Sequence, residues 1–162
     1  MTADFKGSFR ESIDTLAASK MSLNPRALLY QANFARHLAS IRGRKGFRLL
    51  PLRWDDRLEV AAAFHAVDMH ERNFFAHQSP EGDGPGDRAR AVGYVQGWIA
   101  ENNARGADRA GEVHDAWVNS PEHYANIIDP KYKVFAAARS GIYWVEMFGS
   151  EVMAKEATWT LP

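Results

Sequence analysis

VFAAARSGIYWVEMFG, residues 134–149, carries a period of two on either side of a turn. Val134 to Ala138 and Gly141 to Phe148 read as strands joined at Arg139-Ser140-Gly141. In the second strand Ile142, Trp144 and Phe148 share one face, while Tyr143, Val145 and Met147 share the other. A strand that is apolar on both faces has to be covered on both sides, and the covering elements must come from the helical spacing that precedes it. The expected fold class is therefore α+β: a three-layer α-β-α sandwich with a small antiparallel sheet between helices. Val152 to Thr160 is expected to add an edge strand. Glu146 interrupts one apolar face, so either that face meets solvent at its middle or a buried carboxylate has found a partner.

Working outward, Asn24-Pro25 pairs a capping side chain with a residue suited to a first helical turn. A helix follows through Leu28, Gln31, Phe34, Leu38 and Ile41 and stops at Gly43. Residues 43–51 form a basic connector. Trp54-Asp55-Asp56 opens a second helix with acidic residues at its positive end, and its apolar stripe is Leu58, Ala62, His65 and Met69. SPEGDGPGD, residues 79–87, is a loop, followed by a short helix over 87–92. Residues 110–119 read as a helix with Val113 and Trp117 on one face. Ser120-Pro121 repeats the cap-plus-proline device ahead of a short helix that carries His123. Phe5, Phe9, Ile13 and Leu16 recur at steps of four, four and three, which places an amphipathic helix or arm in residues 1–23, with the domain proper in 24–162.

The chain has 162 residues, 46% hydrophobic and 25% charged, enough for one domain and too apolar for wholesale disorder. Twenty basic side chains balance twenty acidic ones, which argues against a partner bound by neutralising phosphates, so no nucleic acid is expected. No run reaches the roughly 18 apolar residues of a membrane-spanning helix. Residues 1–21 mix Lys6, Arg10 and Lys20 with Asp4, Glu11 and Asp14 and lack the apolar stretch of a signal peptide. Without cysteine there is neither a disulfide scaffold nor a thiol nucleophile.

Motifs for zinc-protease helices, serine nucleophile elbows and phosphate loops are absent. What remains is a set of polar residues beside aromatic or turn residues. His77 ends Phe74-Phe75-Ala76-His77 at the entry to the loop, where it is a structural histidine or a site residue. Glu101-Asn102 follows Trp98-Ile99-Ala100, which suggests a carboxylate at a strand end, solvated or functional. His123 occupies the third position of a helix capped by Ser120, where the positive helix end keeps its imidazole neutral.

Several fragments then line up in order. They are Asn33-x-x-Arg36, Pro51-Leu52-x-Trp54-Asp55, Ala62-x-x-His65-Ala66-x-Asp68-Met69, and Phe74-Phe75-x-His77-x-Ser79-Pro80-x-Gly82. Asp87-Arg88-Ala89, Gly93-Tyr94, Glu101-Asn102 and Gly106 come next, before Trp117-x-x-Ser120-Pro121-x-His123-x-x-Asn126-Ile127 and Tyr143-Trp144-x-x-x-Phe148-Gly149. Over about residues 26–150 the chain resembles bacterial single-domain members of the CAP superfamily, named for cysteine-rich secretory proteins, antigen 5 and pathogenesis-related proteins and also called SCP-like. The resemblance implies a cleft lined in eukaryotic members by two histidines and two glutamates. His77 matches the first histidine, and Glu101 matches the glutamate of a Gly-Glu-Asn motif whose glycine is Ala100 here. Ser120 stands where the second glutamate would be and Tyr143 where the second histidine would be, so His123 is expected to supply the other imidazole.

The resemblance also implies export to an extracellular or periplasmic place, and a divalent metal such as zinc, for which His77 and His123 are the candidate ligands. Two imidazoles need water or a carboxylate to complete a zinc shell. Three functions follow. The first is a non-enzymatic cleft for a small ligand, lipid, peptide or glycan, with His77, Glu101 and His123 orienting its polar groups and Tyr143 and Ser120 lining it. The second is a hydrolase using His77 or His123 as general base. The third is a partner-binding scaffold that works through the N-terminal helix.

Overall fold

The structure, a computed structural model, describes Asp14, Ala18 and residues 20–43, 46–95 and 97–151. The N-terminal stripe Phe5, Phe9, Ile13 and Leu16 and the expected edge strand at Val152 to Thr160 lie outside these residues. The elements in chain order are α1 (Ala27–Arg42), β1 (Arg53–Trp54), α2 (Asp56–Arg72), α3 (Pro85–Ala91) and β2 (Ile99–Arg105). They are followed by α4 (Ala110–Val118), α5 (Pro121–Ile128), β3 (Val134–Ser140) and β4 (Tyr143–Gly149).

The strands form one sheet in the order β1-β3-β4-β2. Every residue of β4 is buried. Tyr143, Val145 and Met147 pack with Leu58, Ala62 and Met69 of α2, while Trp144 and Phe148 pack with α1, α4 and α5. This is the three-layer α-β-α arrangement that the two apolar faces of β4 require. One part of the expectation is corrected: the sheet is mixed, because β1 pairs parallel to β3 at Arg53 and Trp54. A parallel neighbour needs a long crossover, and α2, α3, β2, α4 and α5 all intervene between β1 and β3.

Helix starts agree with local chemistry in one case and depart from it in others. Asp55 caps α2 by accepting from the Arg57 and Leu58 amides at 2.9 and 3.3 Å. Asn73 then ends that helix in a left-handed conformation, φ 52°, and turns the chain toward His77. In α1, Asn24 accepts from the Arg26 amide at 2.9 Å and the helix begins at Ala27. Its buried face is Ala27, Leu28, Gln31, Ala32, Ala35 and Arg36, and of the residues through which the sequence runs this helix, Phe34 and Ile41 are exposed. The alanines allow close approach to the neighbouring elements, and Arg36 reaches past them.

Arg36 is 1% exposed and donates through Nε to Leu50 O at 2.9 Å. Its Nη1 donates to Ile127 O and Asp129 O at 2.9 and 3.0 Å, and Nη2 to Tyr132 O at 3.4 Å. Burial lowers its pKa, against the charge of Asp129. One guanidinium thus serves carbonyls of the 43–51 connector, of the end of α5 and of the segment between α5 and β3. Arg36→Ala is expected to destabilise the domain by about 3 kcal/mol, because buried carbonyls lose their donors together. Urea unfolding of the two proteins checks this, and a loss below about 1 kcal/mol would mean that those carbonyls find water instead.

Candidate active-site cleft

β2 carries three consecutive buried polar residues, Glu101, Asn102 and Asn103. In the register with β4, Glu101 faces Met147 and Asn103 faces Val145, so both project toward the α2 layer, while Asn102 faces Glu146 on the opposite side. The expectation of a carboxylate at a strand end is corrected: Glu101 is the third residue of β2, and its side chain is 1% exposed.

Four groups meet that carboxylate. His77 Nδ1 donates to Oε1 at 2.9 Å and Asn103 Nδ2 at 3.0 Å. Arg88 Nη2 donates to Oε2 at 2.6 Å. His65 Nε2 lies 3.7 Å from Oε1, but it donates to Ala76 O at 2.8 Å. Burial lowers the His65 pKa, so that ring is neutral and makes no ion pair. A carbonyl and a carboxylate can only accept, which fixes both tautomers: His65 carries its proton on Nε2, and neutral His77 carries it on Nδ1. The His77 Nε2 lone pair is therefore the free one, on a side chain that is 56% exposed.

Electrostatics separates the groups. Burial opposes ionisation of Glu101, but the His77 hydrogen bond and the charge and hydrogen bond of Arg88 more than offset it, and its pKa lies below 4.5. The Glu101 hydrogen bond raises His77 above 6.5 against its own burial. His123 moves the other way, lowered first by burial and then by the charge of His77. The neutral state expected for His123 thus holds in direction. Its causes are burial and a second imidazole within electrostatic reach.

Of the expected site residues, the structure brings His77 and Glu101 into contact and His123 within reach of His77. Tyr143 stands opposite Arg105, four residues along β2 from Glu101 and so about 13 Å away along the strand. Its hydroxyl lies 3.4 Å from Asn73 Oδ1, and its ring centroid is 6.2 Å from that of His70 and 6.4 Å from that of Phe75. Ser120 occupies the cap position of α5, but the expected cap is corrected, because its side chain makes no capping hydrogen bond.

Arg88, His65 and Asn103 were not singled out as site residues by sequence reasoning, although Arg88 and His65 stand inside the motif fragments. Arg88 also holds Asp83 O at 2.8 Å and His77 O at 3.0 Å, so it ties the proline-glycine loop to the carboxylate. A separate cavity of about 570 Å³, between α2 and residues 79–92, meets this cluster through His65 and Arg88.

The donor set does not fit a resident metal. Among the described residues no three of His, Cys, Asp and Glu converge as a ligand group. Glu101 is held by a guanidinium and two N–H donors, which leaves two imidazoles, fewer than the three protein ligands of catalytic zinc sites.

Glu101→Gln removes the charge that raises His77 while burial and Arg88 remain, so the His77 pKa is expected to fall below its wild-type value. A proton NMR titration of the ring reads this directly, and an unchanged pKa would show that Glu101 does not govern His77. In stability terms, depression of Glu101 stabilises above about pH 4.5 and is lost as pH falls through its folded value. Elevation of His77 stabilises below about pH 6.5 and is lost as pH rises through its folded value. The pair is complete between those limits.

Comparison with known proteins agrees with this fold. A protein named Uncharacterized protein YkwD, from Bacillus subtilis (strain 168), is 34% identical over 102 residues, which are 62% of this chain and 40% of that protein. The chain thus spans about two fifths of that curated relative. An extracellular SCP-domain protein of Bacillus anthracis str. Ames superposes with a TM-score of 0.70 at 22% identity, over 78% of this chain and 40% of that one. An outer surface protein of Borrelia burgdorferi gives 0.60 at 23% identity, over 74% of this chain and 90% of that one. Residues 36–144 match the CAP description, Cysteine-rich secretory protein family, and the chain belongs to that family.

Proposed function

We propose that this domain is a binding module whose cleft presents the imidazoles of His77 and His123 to the polar group of a small ligand, lipid, peptide or glycan. The observation that carries the reading is the tautomer of His77. Its Nδ1–H is fixed on a buried carboxylate, so its Nε2 is oriented and open, while Glu101 itself is fully engaged and cannot reach a ligand. Neutral His77 accepts a hydrogen bond from a hydroxyl or amide; protonated, it donates to an anion. Among the described residues no hydroxyl is hydrogen-bonded to either imidazole, and the chain has no cysteine, which favours binding over nucleophilic catalysis. Two structural relatives, one an extracellular protein and one an outer surface protein, support an exported protein.

One observation favours a second reading. A carboxylate-oriented imidazole beside a second imidazole, with pKa values pushed in opposite directions, is the arrangement of a general acid and base acting on a bound water. That would make the domain a hydrolase, with His77 held by Glu101.

Titration with N-acetylglucosamine, a blocked tripeptide and lysophosphatidylcholine below its micelle concentration, followed by NMR of the histidine rings, separates these readings. Binding predicts that at least one probe moves both His77 and His123, with affinity lowered about tenfold or more, some 1.4 kcal/mol, in His77→Ala and in His123→Ala. If no probe moves either ring, the binding reading fails. Release of a cleavage product that stops in His77→Ala would replace it with the hydrolase.

A further inference from the structure

On the sheet face opposite Glu101, β4 holds a second carboxyl group. Glu146 is 0% exposed and stands between Asn102 of β2 and Ala137 of β3. Its Oε1 accepts from Asn102 Nδ2 at 2.7 Å, and its Oε2 has no partner among the described residues. Asn102 uses its whole amide. Its other N–H donates to His123 O at 3.1 Å, and its Oδ1 accepts from Asn126 Nδ2 at 2.8 Å. One side chain therefore links a buried carboxyl to two positions of α5, three residues apart, on the helix that bears His123.

That helix needs a tether. It has eight residues, no side-chain hydrogen bond at its cap and one fully buried side chain, Ile127. Arg36 holds it only at its far end, through Ile127 O and Asp129 O.

We propose that Glu146 and Asn102 are positioning residues for His123: the Glu146 carboxyl fixes the Asn102 amide in the orientation that grips α5, which keeps the imidazole within reach of His77. The inference rests on the reading of the cleft as a binding site, but it is tested on His123 itself.

Burial pushes the Glu146 carboxyl up to about 8, against the hydrogen bond from Asn102. The titratable or charged groups carried by the elements on this face are Tyr30, Arg36, His37 and Arg42 of α1, Glu112, His114 and Asp115 of α4, Glu122, His123 and Tyr124 of α5, and Arg139 of β3. None of them shifts Glu146 electrostatically. Arg36 is engaged with carbonyls, and Arg139 bonds Gly141 O and Asp108 O while lying over Trp144. At neutral pH Glu146 is protonated in the fold. Its folded pKa is raised, so the stability it contributes is complete below about pH 4.5 and is lost as pH rises through about 8. Ionisation there puts an unpaired charge under the sheet, which only local opening can hydrate.

The test is an NMR titration of the histidine rings from pH 5 to 9 in the wild type, Glu146→Gln and Asn102→Ala. Glutamine keeps the shape and an acceptor but cannot ionise. The expected wild-type result is a second inflection of the His123 resonance near pH 8, in addition to its own titration and lost in Glu146→Gln. In Asn102→Ala the His123 resonance is displaced at every pH, while His77 keeps its wild-type position. A His123 curve that is identical in wild type and Glu146→Gln overturns the proposal, and this comparison decides it even where Asn102→Ala fails to fold. If His123 follows the expected pattern while none of the three probes binds, the tether stands and only the reading of the cleft falls.

Discussion

Strand β2 places Glu101, Asn102 and Asn103 in consecutive buried positions, and a pleated strand must send neighbours to opposite faces. Each polar side chain taken from water costs free energy until it is hydrogen-bonded. On one face the answer is a guanidinium, two amide or imidazole N–H donors and a neutral histidine around Glu101. On the other it is the amide chain from Asn126 through Asn102 to Glu146. The helices on both sides of the sheet carry these partners as well as apolar surface, so one short strand sets the positions of α3, α5 and the loop at His77.

The same strand connects fold to chemistry. His77 and His123 come from segments on opposite sides of the sheet, and neither is held by its own local structure. His77 follows a left-handed turn at Asn73 and takes its orientation from Glu101. His123 sits in a short helix whose backbone is gripped by Asn102. Adjacent residues of β2 therefore act on one histidine each, Glu101 on the ring of His77 and Asn102 on the backbone of His123.

Much of the fold was legible in the sequence because the signals were local or periodic. The two-faced apolar pattern of 142–148 demanded two helical layers, and Asp55, Pro121 and Gly43 marked boundaries through backbone chemistry that needs no distant partner. The buried face of α1 was not legible, because it combines alanines with Gln31 and Arg36 while Phe34 and Ile41 face out. Hydropathy alone cannot foresee a buried arginine whose acceptors are carbonyls up to 96 residues away.

The amino-acid sequence by itself determined the layer order and, through motif fragments at fixed spacings, the resemblance to the family, and it drew attention to His77, Glu101 and His123. Only the tertiary structure decided what those residues do to one another. It set the His77 tautomer, the engagement of Glu101 by Arg88, the neutrality of His65 and the protonated state of Glu146. It also placed Tyr143 opposite Arg105, four residues along β2 from Glu101. The physical reason is that hydrogen-bond partners and desolvation depend on groups brought together from distant parts of the chain, and a one-dimensional pattern records neither distance nor burial.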